Sequence, residues 1–254
     1  MPPTLYMWYL SNKMDRIKEL QDSGMKACSS NWLNARVDTI LRTYPSSLLH
    51  SFREYIGTAS GPALILGNGP SRRLVNGGSF GIPVFAINRA IGEYPQSDFW
   101  CVHDREIFET HEAYLHSIKV LITQSANITV IFKKLVSKTI LIDATPDPQN
   151  RKDTWLVWNE TTLGWTLHLA MLMGYNPIYT LGCELTEGGY VNPKYDAAEL
   201  ARQHLGVRLR MIDMFAHPER WYNGKTEFID LSGGNMPVTH KDFSNFASKY
   251  GTVR

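Results

Sequence analysis

Cysteine is scarce: Cys28, Cys101 and Cys183 are the only three, an odd number with no CxxC pair among them. Neither a disulfide framework nor a zinc site is indicated, and a reducing, cytoplasmic setting is expected. Long hydrophobic runs are missing too. No stretch approaches the roughly 18 apolar residues of a spanning helix, and Met1–Leu10 has no basic segment ahead of its apolar residues, so neither membrane insertion nor export is expected. An excess of one charge is also absent. The 26 Lys and Arg nearly balance 24 Asp and Glu, and a net charge of +2 does not argue for a nucleic-acid partner. With 43% hydrophobic residues, a chain of 254 can bury a large core, so one α/β domain with an extension is expected.

The first sixty residues carry apolar residues at helical spacing: Met14, Ile17 and Leu20, then Val37, Ile40 and Leu41, then Leu48, Leu49 and Phe52, with Pro45 before the last group. A helical extension over 1–58 is the reading. From Pro62 onward, short apolar runs without polar alternation take over: "ALILG", "PVFAIN", "DFWCVHD", "KVLIT", "TILID", "PIYTLG", "VRLRMID" and "EFIDL". Such runs are what strands buried on both faces look like. Helical patterns lie between them at Arg105–His116, Thr162–Met173, Tyr195–Leu205 and His240–Lys249, and Thr161-Thr162 are good cap types for the second. The alternation predicts a Rossmann-like, doubly wound, mostly parallel sheet over 59–254 with helices on both faces.

In such a sheet ligands bind beyond the carboxyl ends of the strands, so the polar residues just after each apolar run are the candidates. They are Asn68, Gly69 and Ser71; Asn88 and Arg89; His103 and Asp104; Asp143; Glu184 and Glu187; Asp213; and Ser232-Gly233-Gly234-Asn235.

The stretch "LGNGPSRR" reads as a strand that stops and a helix that starts at Ser71. Gly67 and Gly69 let backbone come close to a ligand, Pro70 sets the first turn, and amides at a helix start attract anions. Arg72 and Arg73 could add charged contacts to a phosphate. The lesser alternative is that the same glycines serve only a tight turn. Neither the Walker ending nor the dinucleotide GxGxxG pattern is present.

Asn88 could read a base or ribose, or cap the segment Arg89–Gly92. His103 beside Asp104 could act as a base, although Asp104 is also a natural cap for the helix after it. His168, inside an apolar helix, reads as a core histidine. His217 lies among aromatics near Arg220 and could line a lid. Glu184 and Glu187 flank a glycine-rich loop where a carboxylate could deprotonate a hydroxyl or hold magnesium.

"ILGNGPS", "FAINRA", "DFWCVHD", "TTLGWTLHLAMLMGYNPIYTLGCEL" and "FIDLSGGNMPV" together resemble, over about residues 61–246, a broad Rossmann-like family. It contains bacterial sialyltransferases of the Campylobacter lipo-oligosaccharide type, motility-associated glycosyltransferases and archaeal-type 6-hydroxymethylpterin pyrophosphokinases. The resemblance implies a cytidine nucleotide held by Asn68, Gly69, Ser71 and Asn88, a donor contact at Asp104, and nucleotide or sugar contacts at Thr161 and Thr162. Glu184 stands where that family has an Asp. Of the two tyrosines that steady the donor phosphate, Tyr190 matches and the other position is Thr186. The sialyltransferase histidine base has no counterpart between Gly188 and Asp196, which leaves Glu184, Glu187 or His103 to deprotonate the acceptor.

The expected activity is therefore transfer from a nucleotide-activated donor, a CMP-sugar first among them, to an acceptor hydroxyl, with no obligatory metal. One alternative is diphosphate transfer from ATP to a hydroxymethyl group, with acidic residues holding Mg2+. Another is a non-catalytic nucleotide-binding module. The acceptor, whether a glycan, a small molecule or a nucleic-acid base, would meet Arg220, Trp221 and Tyr222. The extension could serve as a homo-oligomer contact.

Overall fold

The computed structural model describes residues 41–44, 46–75, 78–124, 138–142, 161–184, 211–212, 215 and 226–251. Nine strands form one sheet: β1 (Leu49–Ser51), β2 (Ala63–Leu66), β3 (Val84–Ile87), β4 (Phe99–Val102), β5 (Val120–Gln124), β6 (Lys138–Ile142), β7 (Ile178–Leu181), β8 (Phe228–Asp230) and β9 (Thr239–His240). Their order is β1-β6-β5-β4-β3-β2-β7-β8-β9, and every pairing is parallel. From the edge strand β1 the chain therefore crosses to β2, winds outward through β3 to β6, and returns to the other side of β2 for β7, β8 and β9. The direction of winding reverses between β2 and β7.

The apolar runs are strands because both of their faces are covered. All four residues of β2, β3, β4 and β7 are buried. Alternate residues go to opposite sides of the sheet, as the two-residue period of a strand requires. Leu64, Leu66, Ala86, Trp100 and Val102 join one core with Ile107 and Phe108 of helix α1 (Arg105–His111) and Phe246 of helix α3 (Phe243–Tyr250). Ala63, Ile65, Phe85, Phe99 and Cys101 join the other, with Trp165, Leu169, Ala170 and Met173 of helix α2 (Thr162–Met173). Helices on both faces of a parallel sheet make this a Rossmann-like α/β fold.

The helix expected around Leu48, Leu49 and Phe52 is not there. Leu49–Ser51 pair with Thr139–Leu141 as an edge strand, and Phe52–Tyr55 form a 3-10 turn closed by a capping box between Ser51 and Glu54. Apolar residues a few positions apart satisfy either pattern when the element is only three residues long, and pairing with β6 decides it. Met211 and Ile212, expected in a strand "VRLRMID", are helical, as is Phe215 beyond that run; Met211 and Phe215 pack into the core that holds α2. α1 occupies the first half of its expected span and a 3-10 turn, Glu112–His116, the second. α3 starts three residues later than expected because Thr239–His240 add β9. The expected helix at Tyr195–Leu205 and those before residue 41 lie outside the described residues, and among the described residues no helix is long and apolar enough to cross a membrane.

His168 is the core histidine its setting suggested. Burial in α2 lowers its pKa from 6.5 to about 4. The folded chain thus holds the ring neutral where an unfolded chain would protonate it, so the stabilisation is whole above about pH 6.5 and is lost as pH falls toward 4. The loss should reach about 3 kcal/mol, at 1.36 kcal/mol per pKa unit. Urea unfolding at pH 7 and pH 4.5 measures it, and His168→Gln should remove most of the difference between the two.

Candidate functional site

Because all strands are parallel, their carboxyl ends share one rim, and the loops there meet. The loop after β2 and the loop after β7, on either side of the point where the winding reverses, are locked together. Gly67 N–H donates to Leu181 O at 2.7 Å and Gly69 N–H to Gly182 O at 2.7 Å. In return Gly182 N–H donates to Ser71 Oγ at 2.8 Å, and Ser71 N–H donates to the Glu184 carboxylate at 2.6 Å.

These contacts take up the amides that the phosphate-cradle reading of the loop needs free. The amides of Gly67, Gly69 and Ser71 all bond within the protein, and Arg72 N–H donates to Gly69 O at 3.2 Å. The anion at the Ser71 amide is the protein's own Glu184. The helix expected at Ser71 is a 3-10 turn, Pro70–Val75. Arg72 does not reach outward either: it is buried, donates to Asn68 O at 2.6 Å and pairs with Glu93 at 3.4 Å. A buried guanidinium needs such acceptors, and the loop carbonyl and Glu93 supply them.

Glycines at three positions permit close approach around Glu184 and the two loops. At Gly69 an added Cβ would fall on the Glu184 carboxylate, and at Gly234 on the Glu184 backbone. Gly182 has φ +75 and lies against Gly67 O at 2.7 Å from where its Cβ would stand, so both its conformation and its surroundings require glycine.

Glu184 is 8% exposed. One carboxylate oxygen takes the Ser71 amide, and the other is buried with no partner. The Oδ1 of Asn68, in the same loop, is likewise buried without a donor. An unsatisfied buried acceptor costs about 1–3 kcal/mol, so the site holds hydrogen-bonding capacity that the fold itself does not use. The backbone of Glu184 is fixed: its carbonyl accepts from Asn235 N–H at 2.9 Å. Next to it Cys183 N–H donates to Ser232 Oγ at 3.1 Å. The Cys183 thiol is fully enclosed; burial first, then the charges of Asp230 and Glu184, push its pKa well above the ordinary value, so it stays a thiol.

A second group gathers after β3 and β4. Asn88 has φ +50, a conformation that Asn tolerates better than most residues. Its carbonyl accepts from Trp100 Nε1 at 2.9 Å, its Nδ2 donates to Thr162 Oγ1 at 3.3 Å, and its Oδ1 accepts from His103 N–H at 3.4 Å. It lies inside the 3-10 turn Asn88–Gly92 and makes no cap bond, so the capping role expected for it is not observed. The two side-chain bonds are long, and a ligand could replace them. Asp104 sits at the cap position of α1 with its side chain exposed and making no cap bond. Thr161 is the cap of α2, its hydroxyl accepting from Gly164 N–H at 2.8 Å. The start of α2 therefore adjoins Asn88 through Thr162.

Glu187 and Tyr190 lie outside the described residues, as do Thr186, His217, Arg220, Trp221, Tyr222, Asp143 and Asp213. Among the described residues no group of three or more His, Cys, Asp or Glu stands close enough to hold a metal ion. The residue that sequence reasoning passed over is Asp230, completely buried at the end of β8, which accepts from Thr180 Oγ1 and Ser232 N–H, each at 3.1 Å, and from Gly234 N–H at 3.3 Å. One acidic residue inside the apolar run "FIDL", followed by Ser-Gly-Gly-Asn, was the available signal.

No protein-family model matches this chain, and no curated protein sequence does. Among solved structures it is similar to the sialyltransferase CST-II in complex with trisaccharide acceptor and CMP, with a TM-score of 0.44 and 17% identity over 73% of this chain and 84% of that one.

Gly234→Ala places a methyl group against main chain that cannot yield, and should lower stability by about 2 kcal/mol or more in urea unfolding, toward the upper part of the range for overpacking. Gly69→Ala meets a side chain instead, and should cost less while freeing the Ser71 amide, seen as an upfield shift of its NMR resonance.

Proposed function

We propose that the protein is a transferase that moves a group from a nucleotide-activated donor, a nucleotide sugar of the CMP class, to an acceptor hydroxyl. Glu184 is the general base. The observation that supports this is its carboxylate: one oxygen is held by the Ser71 amide, and the other is unpartnered at the strand-end rim. A base must keep a fixed direction and a free lone pair, and this arrangement provides both.

The loop after β2 positions that base and does not hold the phosphate. The anion-attracting element is the start of α2, a helix of 12 residues beside Asn88. Asn88 and Thr162 would contact the nucleotide, and the exposed carboxylate of Asp104 would accept from ribose hydroxyls. In transfer, the acceptor oxygen bonds to the anomeric carbon as the bond to the donor phosphate breaks. The proton passes to Glu184, and the nucleotide leaves with the electron pair, its added charge stabilised by the helix start. A cytidine monophosphate leaving group needs no metal for this step.

Thermal-shift measurements with CMP-, UDP- and GDP-sugars and ATP, each with and without Mg2+, test the donor class. CMP-sugar should raise the melting temperature without Mg2+. A rise with ATP and Mg2+ alone would replace this reading with diphosphate transfer. With the donor identified, Glu184→Gln should lower kcat roughly 10²–10⁴-fold and change donor Kd less than threefold.

A further inference from the structure

We infer that Asp230 and His240 act together as positioning residues for Glu184, an inference that rests on the assignment of Glu184 as the base. Asp230 is the anchor of the segment from Leu231 to Met236. Its Oδ1 accepts from Thr180 Oγ1 and from Ser232 N–H, each at 3.1 Å, which ties it to β7 and to the start of the segment. Its Oδ2 accepts from Gly234 N–H at 3.3 Å and lies 3.1 Å from His240 Nδ1. The other ring nitrogen of His240 is 2.9 Å from Met236 O. The imidazole thus bridges Asp230, just ahead of the segment, and Met236, its last residue, and closes it into a ring.

That closed segment is the floor under Glu184. Asn235 N–H donates to Glu184 O at 2.9 Å, Ser232 Oγ receives Cys183 N–H at 3.1 Å, and Gly234 packs directly on the Glu184 backbone. From the other side, the loop after β2 holds Gly182 and takes the carboxylate on Ser71 N–H. The direction of the free carboxylate oxygen is therefore set by two loops. The second keeps its shape only while a buried carboxylate collects its amides. Asp230 is wholly buried, whereas His240 is 43% exposed, so the interior anchor has a ring-nitrogen partner at the surface. Both act through residues 232–235.

Residue-resolved amide exchange by NMR tests this without any ligand. Removing the imidazole in His240→Ala should speed exchange of the Asn235 and Ser71 amides about tenfold or more, while amides of Phe85 and Ile122 in mid-sheet are unchanged. His240→Gln, which can still donate to Asp230, should recover most of the protection, and Asp230→Asn should exceed His240→Ala at the same two amides. Should Asp230→Asn fail to fold, the histidine pair decides. Unchanged exchange at Ser71, or an equal increase across the whole sheet, would overturn the inference. Nucleotide binding plays no part in this readout. A negative thermal-shift panel removes the proposed activity, and an unmoved Ser71 amide removes the positioning role.

Discussion

The contact between the loops after β2 and β7 governs the arrangement of the rim. Two parallel strands whose crossovers leave in opposite directions would ordinarily splay at their carboxyl ends and open a crevice there. Here reciprocal hydrogen bonds between Gly67–Ser71 and Leu181–Glu184 close the crevice at its base. Closing it requires main chain to approach main chain, and Gly67, Gly69 and Gly182 permit that approach. The loop after β2 turns its amides inward, and two buried acceptors are left without a donor between the two loops: one oxygen of Glu184 and Oδ1 of Asn68.

Charge placement follows from this closure. A carboxylate next to Ser71 repels a phosphate from the position where loop amides might have bound one. The remaining positive end is the start of α2, which Thr161 caps and Asn88 adjoins. The proposed base and the proposed anion site thereby fall on different loops of one rim, a division that transfer chemistry needs, since a base at the phosphate would be neutralised or pushed aside. Behind Glu184, Asp230 gives the third loop its shape from within the core.

Much of the fold could be read from local pattern. The runs of β2, β3, β4 and β7 are buried on both faces, and a parallel sheet is the setting that supplies two faces. α2 is apolar almost all round for the same reason, and its cap Thr161 stands where the sequence put it. Short elements were not legible. Leu49–Ser51 and Met211–Ile212 carry too few residues to show a period, so β6 in one case and core packing in the other decided their form. The candidate rim residues Ser71 and Glu184, and Asn88 and Thr162, do come together, because the parallel topology that the apolar runs imply also fixes which loops share an edge.

Sequence alone determined which residues reach the rim after β2, β3, β4 and β7, since strand ends in a parallel sheet follow from the positions of the apolar runs. It could not determine what those residues do there. The direction of an amide or a carboxylate depends on partners more than a hundred positions away, as Ser71 with Glu184 and Gly182 with Ser71 show. A glycine-rich turn in isolation presents free N–H groups; only when β7 is laid beside β2 do those groups find Leu181, Gly182 and Glu184. Tertiary structure therefore settled the polarity of the loop, because hydrogen bonds in a buried crevice are satisfied by whichever chain the topology brings near.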